Sequence, residues 1–370
     1  MQAARLARSV DDVRRADAAE ADICAVLRGE LVQPSDPHAF VDLAVSEGVA
    51  PLLWQSPSRP PLPSTCIERL REDVRCQLAL ATVREPELRR VLAALVTAGV
   101  DALLIKGAHV AYAFYPEPSL RPRHDTDLLI RPGDEQKAHA VLEILGYRRQ
   151  PAITGVAVQG QVIFDCEGVP GSVLDVHCRL ASPVVAAELF DFSELWRRAQ
   201  PIPALGSAAR GPHPVDALAI AAVHLLAHHP NERGLLWLHD LRVIADALGL
   251  NGRTEFADRA RRRKMMTVCE TALRRSHGRF PSDGSADLVA MLGRAEPEPS
   301  AALLDHRGPS AQALLDVRAL RGWRVRTGYM AGHLFPPSDY MRRRYAPGSR
   351  APLPWLYAAR IIRGARKWIS

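Results

Sequence analysis

The chain of 370 residues is long enough to bury a large core in two or three packed units, and its 47% hydrophobic and 24% charged residues are typical of a soluble globular protein. Its first residues lack the apolar core of a signal peptide, and its longest apolar stretch (218–227) is too short to cross a bilayer. Its six cysteines form no C-x-x-C pair. With a net charge of +7, these features predict a cytoplasmic protein with reduced thiols, and without membrane contact, a zinc site or a disulfide framework.

The N-terminal part of the chain has a helical pattern. Apolar residues recur at helical spacing in AFVDLAVSEGVAPLLW (39–54) and in EPELRRVLAALVTAGV (85–100), and the proline-rich stretch SPSRPPLPS (56–64) separates them as a loop. Gly99 is a plausible stop for the second helix. We therefore expect an N-terminal helical region over residues 1–98.

After Gly99 the pattern changes to short strands that alternate with helices. A helix is predicted over 135–145 and ends at Gly146, and another short helix follows Lys106-Gly107. The Gly/Pro turn GVPG between the last two strand-like runs indicates a hairpin. The strand-like runs are ALLI (102–105), DTDLLI (125–130), QVIFDCE (161–167) and GSVLDVHCRL (171–180).

Beyond Pro203 the helical pattern returns, most clearly in DALAIAAVHLLAHH (216–229) and GLLWLHDLRVIADAL (234–248), and it continues to the end. The fold class predicted from this order is α+β, with a small mixed-sheet core between two helical regions. The expected boundaries are 1–98, 99–202 and 203–370.

The last part of the C-terminal region is strongly basic. Residues 317–370 contain twelve Arg or Lys and one acid, Asp339, for a formal charge of +11, with Tyr and Trp interleaved. Two interpretations stay open: a surface that binds nucleic acid, or a basic helical cap packed by its aromatic residues.

Asp125 and Asp127 alternate along a strand, so they share one face of it. If LDVHCRL pairs beside that strand, Asp175 and His177 join the same face. Three converging carboxylates are costly unless cations or raised pKa values neutralise them. This pattern indicates bound Mg²⁺ and two-metal phosphoryl transfer, in which two ions about 3.5–4 Å apart polarise the reacting oxygens.

Lys106-Gly107 follows a strand, where a glycine lets backbone amides and a helix N-terminus approach a phosphate. Lys106 is one of four lysines among 48 basic residues, so either a required amine or an ordinary solvated side chain explains it. Arg121 and Arg123 either clamp a triphosphate or pair with the nearby acids. His177 either orients a carboxylate or is a core histidine.

A histidine-rich helical stretch suggests a second metal site, since His224 and His228 share one helix face. His229, His239 and Asp240 lie close by in sequence. Packing between helices is the commoner reason for such histidines.

The string LLIKGAHVAYAFYPEPSLRPRHDTDLLI (103–130), followed by a helix ending LGYRR and then by LDVHCRL, resembles the uncharacterised nucleotidyltransferase family of bacteria, within the DNA polymerase β-like superfamily. The resemblance implies that Asp125 and Asp127 hold Mg²⁺ or Mn²⁺ and that Asp175 activates the nucleophile. The matching residues are Lys106, Gly107, Tyr115, Arg121 or Arg123, Asp125, Asp127, Gly146, Tyr147, Asp175 and His177.

The function that this resemblance implies is metal-dependent transfer of a nucleoside monophosphate from an NTP to an unidentified acceptor, which is a small molecule, a peptide, a protein or an RNA. Lys106, Gly107, Arg121 and Arg123 would bind the nucleotide. Gly107-Ala108 departs from the Gly-Ser or Gly-Gly of the wider superfamily, so a phosphate-binding hydroxyl is missing. The alternatives are an Asp-x-Asp glycosyltransferase that uses a nucleotide sugar and a non-catalytic nucleotide- or nucleic-acid-binding protein on this scaffold.

Overall fold

The computed structural model describes residues 10–150, 160–180, 186, 189–293, 298–304, 316–318, 320, 322–346 and 351–369. The N-terminal region is helical, as predicted. Asp36 caps α2, because its carboxylate accepts hydrogen bonds from the backbone N–H groups of His38 and Ala39 while Pro37 occupies the first turn. The N-terminal helices are α1 (Val10–Leu27), α2 (Pro37–Ser46), α3 (Ala50–Gln55) and α4 (Ser64–Thr97).

A five-stranded mixed sheet follows, in the order β1-β2-β5-β4-β3. β2 is antiparallel to β1 and parallel to β5, and β4 and β5 form the predicted hairpin. The predicted helix end is also present, since Gly146 adopts a left-handed φ of 91° directly after α6. The elements are β1 (Ala102–Ile105), α5 (Lys106–Phe114), β2 (Thr126–Ile130), α6 (Glu135–Ile144), β3 (Arg148–Arg149), β4 (Gln161–Asp165) and β5 (Val173–His177).

The rest of the described chain is mostly helical, apart from a two-stranded ribbon of β6 and β7. No described helix is long and apolar enough to cross a membrane. The elements are α7 (Phe192–Arg198), β6 (Gln200–Pro201), β7 (Arg210–Gly211), α8 (Pro214–His228), α9 (Leu235–Ala247), α10 (Leu250–Arg262), α11 (Met266–Arg279), α12 (Asp283–Leu292), α13 (Trp323–Leu334), α14 (Ser338–Tyr345) and α15 (Leu353–Ile369).

The N-terminal and C-terminal helices share one hydrophobic core. Phe40 and Leu70 from the first region pack in the same buried cluster as Leu218, Leu241 and Leu273 from the last. A second cluster lies between the sheet, the C-terminal half of α4 and α6. The α+β class with flanking helices is thus confirmed, while the division at residues 98 and 202 stays a prediction.

The shared core predicts a large difference between two leucines of α4. Leu70 is fully buried in the shared cluster, whereas Leu78 is 54% exposed. Leu70→Ala should lower the free energy of unfolding by about 2–5 kcal/mol, because it removes buried methyl groups and leaves a cavity. Leu78→Ala should change it by no more than about 0.5 kcal/mol. Urea denaturation of both variants measures the difference, and equal effects would contradict the shared core.

Candidate functional site

Parallel pairing of β2 and β5 aligns two aspartates. Asp127 is the register partner of Asp175, and His177 lies two residues farther along β5 on the same face. The Nε2 atom of His177 is 2.9 Å from Asp127 Oδ1 and 3.2 Å from Asp175 Oδ2. All three side chains are buried. The pairing of LDVHCRL beside DTDLLI that the sequence analysis considered is therefore present.

Lys106 neutralises part of this acidic cluster. Its Nζ atom is 2.6 Å from Asp127 Oδ1 and 3.2 Å from His177 Nε2. Lys106 has a φ of 49°, a left-handed conformation that costs a non-glycine residue about 1–2 kcal/mol. Since Ile105 ends β1 opposite Asp127, the strained turn brings the next residue's ammonium to that carboxylate.

The cluster changes the acidity of its members in opposite directions. Burial raises the pKa of Asp127, but the Lys106 charge and the hydrogen bond to His177 outweigh burial and hold that pKa well below its usual value. The pKa of Asp125 is raised, first by loss of solvation and then by the charges of Asp127 and Asp175. Burial and Lys106 lower the pKa of His177, yet its hydrogen bonds to Asp127 and Asp175 raise it above the usual value.

The carboxylates of Asp125 and Asp175 are available to a cation. Asp125 immediately precedes β2 and is exposed at the cavity that Asp127 and Asp175 also line. Asp175 Oδ2 accepts a hydrogen bond from Gln161 at 3.2 Å, whereas Asp175 Oδ1 is buried and has no hydrogen-bond partner in the described structure. A buried carboxylate oxygen without a partner fits a hard cation such as Mg²⁺.

Among the described residues, the close group with metal-ligand spacing is Asp127, Asp175 and His177. Asp125, which was expected to share a strand face with Asp127, lies outside this group and immediately precedes β2, which begins at Thr126. The carboxylate of Asp125 nevertheless lines the same cavity.

Position 107 has room only for glycine, because the Arg121 guanidinium lies against it. A Cβ atom added at Gly107 would lie 2.3 Å from Arg121 Nη1. Arg121 cannot move away easily, because it is buried and its Nη2 and Nε donate to the carboxylate of Asp240 on α9 at 2.7 and 3.2 Å. The Arg121 charge is thus matched by Asp240, an acid that the sequence analysis did not pair with it.

Asp240 also receives a hydrogen bond from Tyr115. The Tyr115 hydroxyl donates to Asp240 Oδ1 at 2.9 Å and lies 2.9 Å from His239 Nδ1. Burial lowers the pKa of His239 to about 3, so this ring is neutral at neutral pH. Tyr115, Arg121 and Asp240 therefore fasten the loop before β2 to the C-terminal helices.

Arg123 differs from Arg121, because it forms no ion pair with a described acid. Its Nε and Nη2 atoms are buried without hydrogen-bond partners, and its guanidinium lies 5.4 Å from the Tyr112 ring centroid. Arg84 of α4 lies behind it and donates from Nη1 to the Arg123 carbonyl at 2.6 Å, with its own Nε unpartnered. Burial and then the charge of Arg123 lower the pKa of Arg84. Two adjacent buried guanidiniums are unfavourable without an anion.

One cavity of about 750 Å³, within the usual range for ligand sites, is lined by Asp125, Asp127, Asp175, Gly107, Arg121 and Arg123. Its other wall comes from α8 and α9. There the His229 ring stacks on Trp237 with centroids 3.7 Å apart, and His224 is 5.1 Å from both His228 and His229. Burial lowers the pKa of His228 to about 4.

The second metal site considered for the histidines is not supported by the described residues. His239 belongs to the Tyr115 network, and His224, His228 and His229 do not form a close ligand group. Sequence reasoning also missed Arg84 and the role of Asp240. A charged residue on the apolar face of α9 was the available signal for Asp240, whereas no sequence feature marks Arg84.

The five-stranded mixed sheet with flanking helices is consistent with a nucleotidyltransferase fold. The sequence profile of a family described as "Uncharacterised nucleotidyltransferase" matches residues 33–281. The chain belongs to this family and is a nucleotidyltransferase. The matched segment contains the whole cavity and ends before the basic segment 317–370.

Among solved structures, the chain is similar to the antibiotic-resistance factor ANT(2'')-Ia, whose solution structure was described as revealing substrate-regulated conformation dynamics. The two are 17% identical, and the similarity covers 54% of this chain and 97% of that chain with a TM-score of 0.35. No curated protein matches the chain.

The buried Arg121–Asp240 ion pair predicts that replacing Asp240 by the isosteric Asn strongly lowers the free energy of unfolding. Asp240→Asn should lower the free energy of unfolding by about 3–5 kcal/mol, because it leaves the buried Arg121 charge uncompensated. Asp246→Asn is the matched control on the same helix, since Asp246 is exposed and lies 3.4 Å from Arg242. The control should cost about 0–1 kcal/mol. Chemical denaturation compares the two, and a minor effect at Asp240 would exclude the proposed fastening of the loop.

Proposed function

We propose that this protein transfers a nucleoside monophosphate from an NTP to an acceptor hydroxyl or phosphate. The observation that carries the proposal is the aligned pair Asp127 and Asp175, with the unpartnered Asp175 Oδ1 and the adjacent Lys106, in a chain of a nucleotidyltransferase family. In the reaction the acceptor oxygen bonds to the α-phosphorus, and the bond from that phosphorus to pyrophosphate breaks. The family match favours this function over glycosyl transfer.

Asp125, Asp127 and Asp175 would hold Mg²⁺ or Mn²⁺, since hard divalent cations prefer carboxylate oxygens. The bound ions would neutralise charge on the phosphates and lower the pKa of the acceptor oxygen. Asp175 would accept the hydrogen bond of the incoming hydroxyl and draw off its proton. His177 would keep both carboxylates oriented through its contacts of 2.9 and 3.2 Å.

Arg123 would bind the phosphates of the NTP, and Arg84 would support it. Both guanidiniums are buried, form no ion pair with a described acid and have unpartnered N–H groups, which favours an anionic ligand at the edge of the cavity that Arg123 lines. Lys106 would add its ammonium on the other side. Arg121, which pairs with Asp240, would instead hold Gly107 and the loop before β2 in position.

The helical wall opposite the acids would receive the acceptor or the nucleotide base. The stacked His229 and Trp237 provide a flat aromatic surface, and the neutral His224 and His228 add ring nitrogens without adding charge. Burial is the main cause that lowers the pKa of both histidines.

Because the two acids would have different roles, we predict that one variant loses nucleotide binding and the other loses mainly turnover. Asp127→Asn should abolish binding of Mg²⁺ with an NTP, which calorimetry measures. Asp175→Asn should keep most of that affinity and lose turnover by about 10²–10⁴-fold, as expected for a lost acid-base group. Turnover is followed as pyrophosphate release from labelled NTPs, with mass analysis of candidate acceptors.

Asp165→Asn is the control for both aspartates, because Asp165 lies at the far end of β4 and does not line the cavity. It should leave nucleotide binding and turnover unchanged. Unchanged NTP affinity in Asp127→Asn would contradict the proposal that Asp127 holds the metal ion. Full activity in Asp175→Asn would remove Asp175 from the chemistry.

The two arginines without acidic partners give a separate prediction. Arg123→Gln and Arg84→Gln should each weaken NTP binding by about 10–100-fold, because a charged hydrogen bond contributes about 1.5–3 kcal/mol. The affinity for a nucleoside without phosphates should not change. Arg131→Gln is the control, since Arg131 pairs with Asp101 at the surface. Equal loss for the nucleoside and the NTP would instead indicate general misfolding.

A further inference from the structure

The C-terminal segment carries an unusual share of exposed apolar side chains. Eight of the fifteen large hydrophobic residues exposed in the described structure lie between residues 323 and 362. This segment follows the part of the chain that the family profile matches. The eight are Trp323, Val325, Met330, Leu334, Phe335, Trp355, Ile361 and Ile362.

In α15 the exposed apolar residues form one continuous side of the helix. Residues seven positions apart lie on the same side of an α-helix, because seven residues make nearly two turns. Trp355 and Ile362 have this spacing, and they are 75% and 62% exposed. Ile361, beside them, is 54% exposed. Ala358, which lies on the same side, is also exposed.

A different side of α15 packs against the protein. Leu356 is buried in a small cluster with Met341 of α14. Arg360 Nη1 donates to the Tyr345 hydroxyl at 3.1 Å. The apolar side with Trp355 and Ile362 is thus not the side that holds the helix to α14.

The exposed surface extends to the end of α13. Tyr357 of α15 donates its hydroxyl hydrogen to the Pro336 carbonyl at 2.6 Å. The Phe335 ring, which belongs to a residue 64% exposed, lies 6.1 Å from the Tyr357 ring. Phe335 is therefore next to α15 and enlarges its apolar surface.

The charge of the segment is positive throughout. Asp339 is the single acid among residues 317–370, against twelve Arg or Lys. A helix that exposes Trp and Ile within a strongly basic segment has the composition of helices that lie in the interface of a bilayer, with apolar side chains among the acyl chains and cations at the head groups.

We propose that α15, with Phe335 beside it, is a surface that binds anionic phospholipid membranes without spanning them. Exposed aliphatic residues such as Ile361 and Ile362 favour lipid over nucleic acid, because phosphate backbones are bound by cations and aromatic rings, with no role for a row of aliphatic side chains. The charge of +11 favours an anionic lipid surface over a neutral one. This proposal departs from the expectation, made from the sequence, that the protein does not contact a membrane.

Sedimentation with vesicles of phosphatidylcholine, with or without phosphatidylserine, tests the proposal on the full chain. The protein should bind the vesicles that contain phosphatidylserine and lose binding as salt rises. The combined variant Trp355→Ser, Ile362→Ser should lower the affinity on the order of tenfold or more, because it removes large apolar groups from the lipid interface. Arg342→Gln should weaken binding less.

Leu250→Ser is the matched control, since Leu250 is a 65% exposed apolar residue at the start of α10. It should bind vesicles as the unchanged protein does, and circular dichroism should show the same helix content in every variant. Three results would overturn the proposal: no binding to phosphatidylserine vesicles, binding to an RNA oligonucleotide with none to vesicles, or self-association that is lost in the double variant while vesicle binding is absent.

Discussion

The alignment of Asp127 with Asp175 on parallel strands is the constraint on which the rest of the site depends. Two buried carboxylates repel each other at this spacing, so the surrounding residues must supply positive charge and hydrogen-bond donors. Lys106 reaches Asp127 from a left-handed backbone conformation, and His177 lies against both acids. The strained turn at Lys106 persists because its ammonium satisfies an otherwise uncompensated acid. The same contacts therefore hold the two carboxylates in position and offset their charge.

A second ion pair connects this site to the helices around it. Arg121, from the loop before β2, pairs with Asp240 of α9 and at the same time covers Gly107. The loop that carries Arg123 and Asp125 is consequently held against the C-terminal helices, whose His229 and Trp237 form the opposite wall of the cavity. Because the helices that precede and follow the sheet in the chain share one hydrophobic core, the shape of this cavity depends on packing far from the aspartates.

The cavity and the C-terminal segment differ in their charged and apolar groups, and each matches one of the two proposals, nucleotidyl transfer and lipid binding. The cavity combines carboxylates with the buried Arg84 and Arg123, which suits a metal-bound polyphosphate. The segment 317–370 is basic and exposes apolar side chains, which suits an anionic lipid surface. The family profile includes the cavity and ends before that segment, so nucleotidyl transfer and the proposed lipid contact belong to different parts of the chain.

The sequence alone determined the α+β class, the β4–β5 hairpin and the helix end at Gly146, because these depend on local periodicity and turn residues. It also predicted that Asp175 joins Asp127 on one face if LDVHCRL pairs beside DTDLLI, and that pairing is present. Tertiary structure decided the rest. It assigned Arg121 to Asp240 and left Arg123 without an ion pair to any described acid, although the two arginines are two residues apart and chemically identical. It also brought Arg84 behind Arg123 from a helix 39 residues earlier. Such pairings depend on which distant elements pack together, and no local pattern encodes them.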